Sequence, residues 1–172
     1  MRCGALAAML GGLLWVAVLL ETSLRPADPM RGPSPLLFAA LLLIALGLIG
    51  VYTTQRAPLV RLGRATGCLA AGSVVFLLAA RVLVDVRVAP ALLFAVAVGA
   101  FLGALLAFFG ATLRARVISP VTTGALLITT VSLAFFNFGD SRIWLGVLFG
   151  LAWLGVGWAM WARSGVGDVP SA

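Results

Sequence analysis

The chain contains no histidine and no lysine, and only five of its 172 residues are acidic. Without histidine it lacks the commonest general base, metal ligand and axial haem ligand. All five acids lie outside the long apolar runs of the sequence: Glu21, Asp28, Asp85, Asp140 and Asp168. There is also no G-x-S-x-G elbow, phosphate-binding loop or acidic metal cluster. We therefore expect no enzyme, no catalytic residue, no bound metal and no cofactor.

Cysteine is scarce as well, and the basic residues are of one kind. Cys3 and Cys68 form neither a C-x-x-C pair nor a metal-ligand spacing, so we expect two free thiols. All twelve basic residues are arginine, which indicates a GC-rich coding sequence and hence a prokaryotic source.

Apolar residues, in contrast, are abundant. The sequence is 63% hydrophobic and 10% charged, with a mean hydropathy of +1.18, which is typical of membrane proteins. A net charge of +7 would indicate nucleic-acid binding in a soluble protein. Here the arginines stand in groups of one to three between apolar runs, as orientation signals do. We expect the lipid bilayer as the chief partner and no nucleic acid.

Six apolar runs predict an all-α fold, a single domain over residues 1–172 that forms a bundle of six transmembrane helices. Each run is near the length of about 20 residues that a membrane-spanning helix needs. Glu21 to Pro26, which follow the first run, contain no small-x-small cleavage site, so we expect a retained helix and not a signal peptide. The predicted spans are about 3–20, 36–53, 65–84, 90–113, 120–138 and 143–162.

The arginines also predict an orientation. An even number of spans places both termini on the same side of the membrane. The connections after the second and fourth runs carry arginine and no acid, which favours the cytoplasm for that side. We expect a multi-pass protein of the cell membrane with both termini cytoplasmic.

The fourth apolar run carries a regular ridge of small residues. A step of four residues advances about 400° round an α-helix, so residues at this spacing share one slowly drifting face. Gly and Ala there let backbones approach closely, which promotes helix association in lipid. We expect this helix at the centre of the bundle, and we expect Gly146 and Gly150 to form a second packing pair. The ridge residues are Ala91, Ala95, Gly99, Gly103, Ala107 and Ala111.

Polar side chains in the fifth run form a stripe. Thr123, Thr130 and Asn137 are seven residues apart, which places them within about 20° of one line on a helix. Such a stripe could line a hydrated path for a small solute. Alternatively, the threonine hydroxyls bond to their own backbone or to a neighbouring helix.

Three charged residues are further candidates for a ligand or a pathway. Arg81 is the one charge that could enter the membrane, where arginines often mark a pathway, although it could also extend outward and pair with Asp85. Asp140 and Arg142 are predicted on the same side as Arg81, Asp85 and Arg87, and this group could bind an external anion or headgroup. The ordinary interpretation of Asp140, with Ser141, is capping at the start of the sixth helix, and Arg142 could then pair with Asp140 or Asp85.

These patterns favour a non-enzymatic accessory or assembly subunit that acts through helix–helix packing. Its small-residue faces would contact its own helices, a second copy in a homo-oligomer, or another membrane subunit. The alternative is a small-solute transporter, or a substrate-binding subunit of one, that uses the stripe of the fifth helix with Arg81 as an anchor.

Overall fold

The computed structural model describes residues 2–24, 35–53, 60–115, 118–135 and 142–165. Within these ranges the chain forms six α-helices and no strand, which confirms the predicted all-α fold. Four helices, α1, α3, α4 and α6, are long and apolar enough to cross a membrane. The helices are α1 (Arg2–Leu24), α2 (Pro35–Thr53), α3 (Val60–Asp85), α4 (Ala91–Ala115), α5 (Pro120–Leu133) and α6 (Ile143–Gly165).

Helix α5 is shorter than predicted. It begins where the sequence indicates, with Ser119 as N-cap and Pro120 in the first turn, but it ends at Leu133 instead of near 138. The N–H groups of Ala134 and Phe135 donate to carbonyls three residues earlier, which tightens the chain into a turn. Fourteen residues span about 21 Å, less than a hydrocarbon core of about 30 Å.

The helices form a closed ring in chain order. Each helix packs against the next one, and α6 returns to pack against α1, so that α1 lies between α2 and α6. Aromatic side chains occupy the enclosed space. Phe149 lies 5.7 Å from Trp15 and 6.2 Å from Trp153 between ring centroids, and Phe109 of α4 reaches Trp153 at 6.0 Å.

The closest packing is found where α1 meets α2 and α6, in a contact that we name the glycine seam: Gly4, Gly12, Gly50 and Gly150. A Cβ atom on Gly4 would lie 2.5 Å from the Cα of Gly50. A Cβ on Gly12 would lie 2.5 Å from the carbonyl oxygen of Gly150. Only glycine allows backbones to approach this closely.

The predicted pair on α6 lies at this seam. Gly150 faces Gly12 of α1, and a Cβ on it would lie 2.6 Å from Val16 Cγ2. One turn earlier, the Trp15 indole Nε1–H donates to the carbonyl oxygen of Gly146 at 2.9 Å. The buried tryptophan of α1 is therefore satisfied by the backbone of α6.

The expectation that α4 is the central helix is wrong. Helix α4 packs against α3 and α5, and its ridge of small residues faces outward. A Cβ on Gly99 or Gly103 would meet nothing within 4 Å. Of the predicted ridge, Ala111 alone is buried, and the exposed members, which we name the outer ridge, are Ala91, Ala95, Gly99, Gly103 and Ala107.

The larger side chains on the opposite face of α4 explain this orientation. Phe101, Leu105 and Phe108 are buried in the interior of the ring. Turning this face inward brings three large apolar side chains into close contact with the other helices, whereas glycines and alanines would leave the ring unfilled. The small residues consequently lie outside.

We predict that Gly12→Ala destabilises the fold by about 1–3 kcal/mol, because the new methyl group collides with the backbone of α6. The matched control is Gly155→Ala in α6, where a Cβ meets nothing within 4 Å. There the gain in helix propensity makes the change neutral or stabilising. The measurement is the unfolding midpoint in detergent micelles. Equal midpoints for the two variants would contradict the close backbone contact at the glycine seam.

Candidate functional site

The candidate site is a surface on the α3–α4 side of the ring. Its first part is the outer ridge of α4. Its second part is an adjoining depression of about 530 Å³, which we name the α3–α4 groove. The hydroxyl of Ser73 in this groove donates to the carbonyl oxygen of Ala70 at 2.7 Å, so its hydrogen is already used. The groove is lined by Cys68, Leu69, Gly72, Ser73, Phe76, Ala100, Gly103 and Ala104.

The two parts of the surface share Gly103 but differ elsewhere. Gly99 belongs to the outer ridge and does not line the groove, and Gly72 of α3 lines the groove and lies outside the ridge. A Cβ atom added to either glycine would meet no atom within 4 Å, so both positions offer open space. The two parts can therefore be blocked independently.

The threonines of the predicted stripe are buried, but their hydroxyls form hydrogen bonds to nearby backbone carbonyls of the same chain segment. Thr130 Oγ1 donates to the carbonyl oxygen of Leu126 at 2.7 Å, and Thr123 Oγ1 donates to that of Ser119 at 3.2 Å. Both acceptors lie four residues earlier on the chain, as is usual for threonine in membrane helices. Asn137, the third member, lies outside the described residues.

Arg81 is held by partners at the end of α3 where that helix meets α4. Its Nη2 lies 3.0 Å from Asp85 Oδ1, and its Nε donates to Asp85 Oδ2 at 3.1 Å. The guanidinium carbon lies 5.4 Å from the ring centroid of Phe94, which adds a cation–π contact. The side chain is 36% exposed, so the structure agrees with the alternative that Arg81 extends outward and pairs along its helix.

The other two charged residues predicted for the site are Arg142 and Asp140. Arg142 is exposed in the turn that precedes α6. Asp140 lies outside the described residues, so the predicted anion site of Arg81, Asp140 and Arg142 is not assembled within them.

Two features carried no signal in the sequence. Arg87 has a φ of 58°, the left-handed conformation that glycine usually occupies at the end of a helix. The N–H of Val88 donates to the carbonyl oxygen of Leu83 at 3.0 Å and closes this cap. In the core, the Trp153 indole Nε1–H is buried and has no hydrogen-bond partner among the described residues. Its burial depends on contacts between helices, which a local pattern does not show.

Comparison with protein families, with curated proteins and with solved structures finds no match to this chain. The class is therefore inferred from the chain itself. An all-α ring with four helices long and apolar enough to cross a membrane indicates a membrane protein. No group of three or more potential metal ligands occurs among the described residues.

We predict that Thr130→Val changes the free energy of unfolding by less than about 1 kcal/mol, because the lost hydroxyl bonds only to its own helix. Leu126→Ala, a substitution of the fully buried neighbour, should cost about 2–5 kcal/mol in the same assay. Thermal unfolding in micelles measures both. A loss of several kcal/mol in Thr130→Val would show that the hydroxyl has a further partner.

We also predict that Arg87→Gly stabilises the fold by about 0.5–1 kcal/mol, because glycine adopts a positive φ without steric cost. Arg87→Ala removes the same charge but keeps the steric penalty, so it should give no gain. Chemical denaturation of the two variants separates these effects. If the two variants are equally stable, any change relative to the unmodified chain comes from the lost charge and not from the backbone conformation.

Proposed function

We propose that this chain is a non-enzymatic integral membrane protein, an accessory or assembly subunit that packs a transmembrane helix of a partner subunit on the outer ridge. The observation that carries the proposal is the open space above Gly99 and Gly103. These glycines stand four residues apart on an apolar helix, the G-x-x-x-G spacing of helix association in lipid.

The glycine seam shows how the chain itself uses this chemistry. At the seam, Gly12 and Gly150 bring two helices of the same chain into backbone contact. The outer ridge presents the same kind of small-residue surface without an occupant among the described residues. Exposed Leu92 and Val96 flank it, at 70% and 55% exposure, and provide large side chains for a docked helix to pack between.

The proposal includes the membrane location and the threading of the chain. All six helices cross the cell membrane, with α2 and α5 as the shorter spans, and both termini lie in the cytoplasm. The end of the bundle at which α3 begins and α4 ends then faces the cytoplasm, and we name it the basic end. It carries Arg61, Arg64 and Arg114 on these two helices, in accord with the positive-inside rule.

The alternative of a small-solute transporter gains no support from the described geometry. The hydroxyls of Thr123 and Thr130 are bonded to their own helix, and the charge of Arg81 is balanced by Asp85. Aromatic side chains occupy the interior of the ring, where a solute path would run.

We predict that Gly99→Leu abolishes partner association and leaves the fold intact, because the new side chain projects into open space. A photoreactive residue at Ala95 reports the association as a crosslink in native membranes. The matched control is Gly155→Leu, an equally open glycine on α6.

Loss of the crosslink in Gly99→Leu and its retention in Gly155→Leu would support the proposal. A folded Gly99→Leu variant that crosslinks as the unmodified chain does would refute it. A crosslink between two copies of this chain would identify the partner as a homo-oligomer.

A further inference from the structure

The α3–α4 groove has the form of an acyl-chain site. Its volume of about 530 Å³ lies within the usual range for small-molecule pockets, about 300–1,000 Å³. Its walls consist of small and apolar residues, and Gly72 leaves its side open, with nothing within 4 Å of a Cβ position. The Ser73 hydroxyl donates to Ala70, so a hydrocarbon chain in the groove leaves this hydroxyl satisfied. The exposed Cys68 thiol is only a weak donor.

With the threading proposed above, the groove lies at the depth of one leaflet. On α3 its lining extends from Phe76 to Cys68, in the direction of the basic end. From Phe76 to Arg61 is fifteen residues, or about 22 Å at 1.5 Å per residue. One leaflet with its headgroups is about 20–22 Å thick, half of a bilayer of about 40–45 Å. Phe76 lies near the middle of the apolar segment Ala65–Asp85, so an acyl chain that ends at Phe76 brings its headgroup to the level of Arg61.

The charged residues of α3 and α4 at the basic end are all positive. Arg61 and Arg64 stand at the start of α3, and exposed Arg114 stands in the last turn of α4. Apart from Asp85, at the opposite end of α3, the sequence contains no acid between Asp28 and Asp140. Arginines at the membrane surface attract anionic lipid headgroups. Neutral and zwitterionic headgroups gain less from the same charges.

We propose that the α3–α4 groove binds one acyl chain of an anionic phospholipid, whose headgroup lies at the level of the basic end. The inference rests on the membrane location in the proposed function and does not depend on the partner helix. Gly72 lines the groove and is not part of the outer ridge, whereas Gly99 belongs to the outer ridge and does not line the groove. The two proposals can therefore fail separately.

The test is native mass spectrometry of the full chain, with retained phosphatidylglycerol compared against phosphatidylcholine. We expect Gly72→Leu to lower phosphatidylglycerol retention at least tenfold, because leucine fills the groove. Gly124→Leu on α5, at a glycine with equally open space but outside the groove, should retain the lipid. The double variant Arg61→Gln with Arg64→Gln should lose about fivefold in preference per arginine.

Three results of the lipid assay would each overturn the inference. They are phosphatidylglycerol retention by Gly72→Leu equal to that of Gly124→Leu, equal retention of the two lipids by the unmodified chain, and an unchanged preference in the arginine double variant. Cys68 lines the groove and is exposed, so it also tests for a second copy as the occupant. In a Cys3→Ser background, a Cys68–Cys68 disulfide formed by oxidation in liposomes would assign the groove to a dimer instead. Lipid retention by Gly99→Leu together with loss of its partner would support both proposals.

Discussion

Backbone contact at the glycine seam is the constraint on which the rest of the fold depends. Hydrocarbon surroundings provide no hydrophobic driving force between helices, so close packing must hold them together. Gly4 meets Gly50 and Gly12 meets Gly150 at distances that leave no room for a side chain. This contact fixes α1 between α2 and α6, and it thereby closes a ring whose other helices follow in chain order.

Closure of the ring decides which side chains fill its interior. Trp153 and Phe149 of α6 and Phe109 of α4 are buried, and their ring centroids lie 6.0 Å and 6.2 Å apart along the series Phe109–Trp153–Phe149. Once these large groups face inward, the small residues of α4 face outward. Open glycines are consequently more numerous on one side of the ring, at Gly72, Gly99, Gly103, Gly110 and Gly124 in α3, α4 and α5, although Gly155 of α6 is open as well. The side of the ring with the glycine seam supports the fold, and the side formed by α3, α4 and α5 provides both proposed binding surfaces.

Several polar side chains of the described helices bond within their own helix. Thr112, Thr123 and Thr130 are buried, and each hydroxyl donates to a carbonyl four residues earlier. Arg81 reaches Asp85 along its own helix and rests against Phe94. Local bonding of this kind satisfies a polar group in an apolar medium without tying one helix to another. The indole of Trp15 differs, because it donates to the carbonyl oxygen of Gly146 and so joins α1 to α6.

The sequence by itself determined the all-α fold, the number of helices and most of their bounds. In an apolar medium every backbone group must be bonded within its own segment, so hydropathy and turn residues suffice to locate a helix. It could not decide which ridge of small residues is buried. Gly4, Ala8 and Gly12 repeat every four residues in α1, as Gly99 and Gly103 do in α4, yet only the glycines of α1 meet complementary glycines on other helices. The tertiary structure decided this, because burial of a ridge depends on the shape of the surface opposite it.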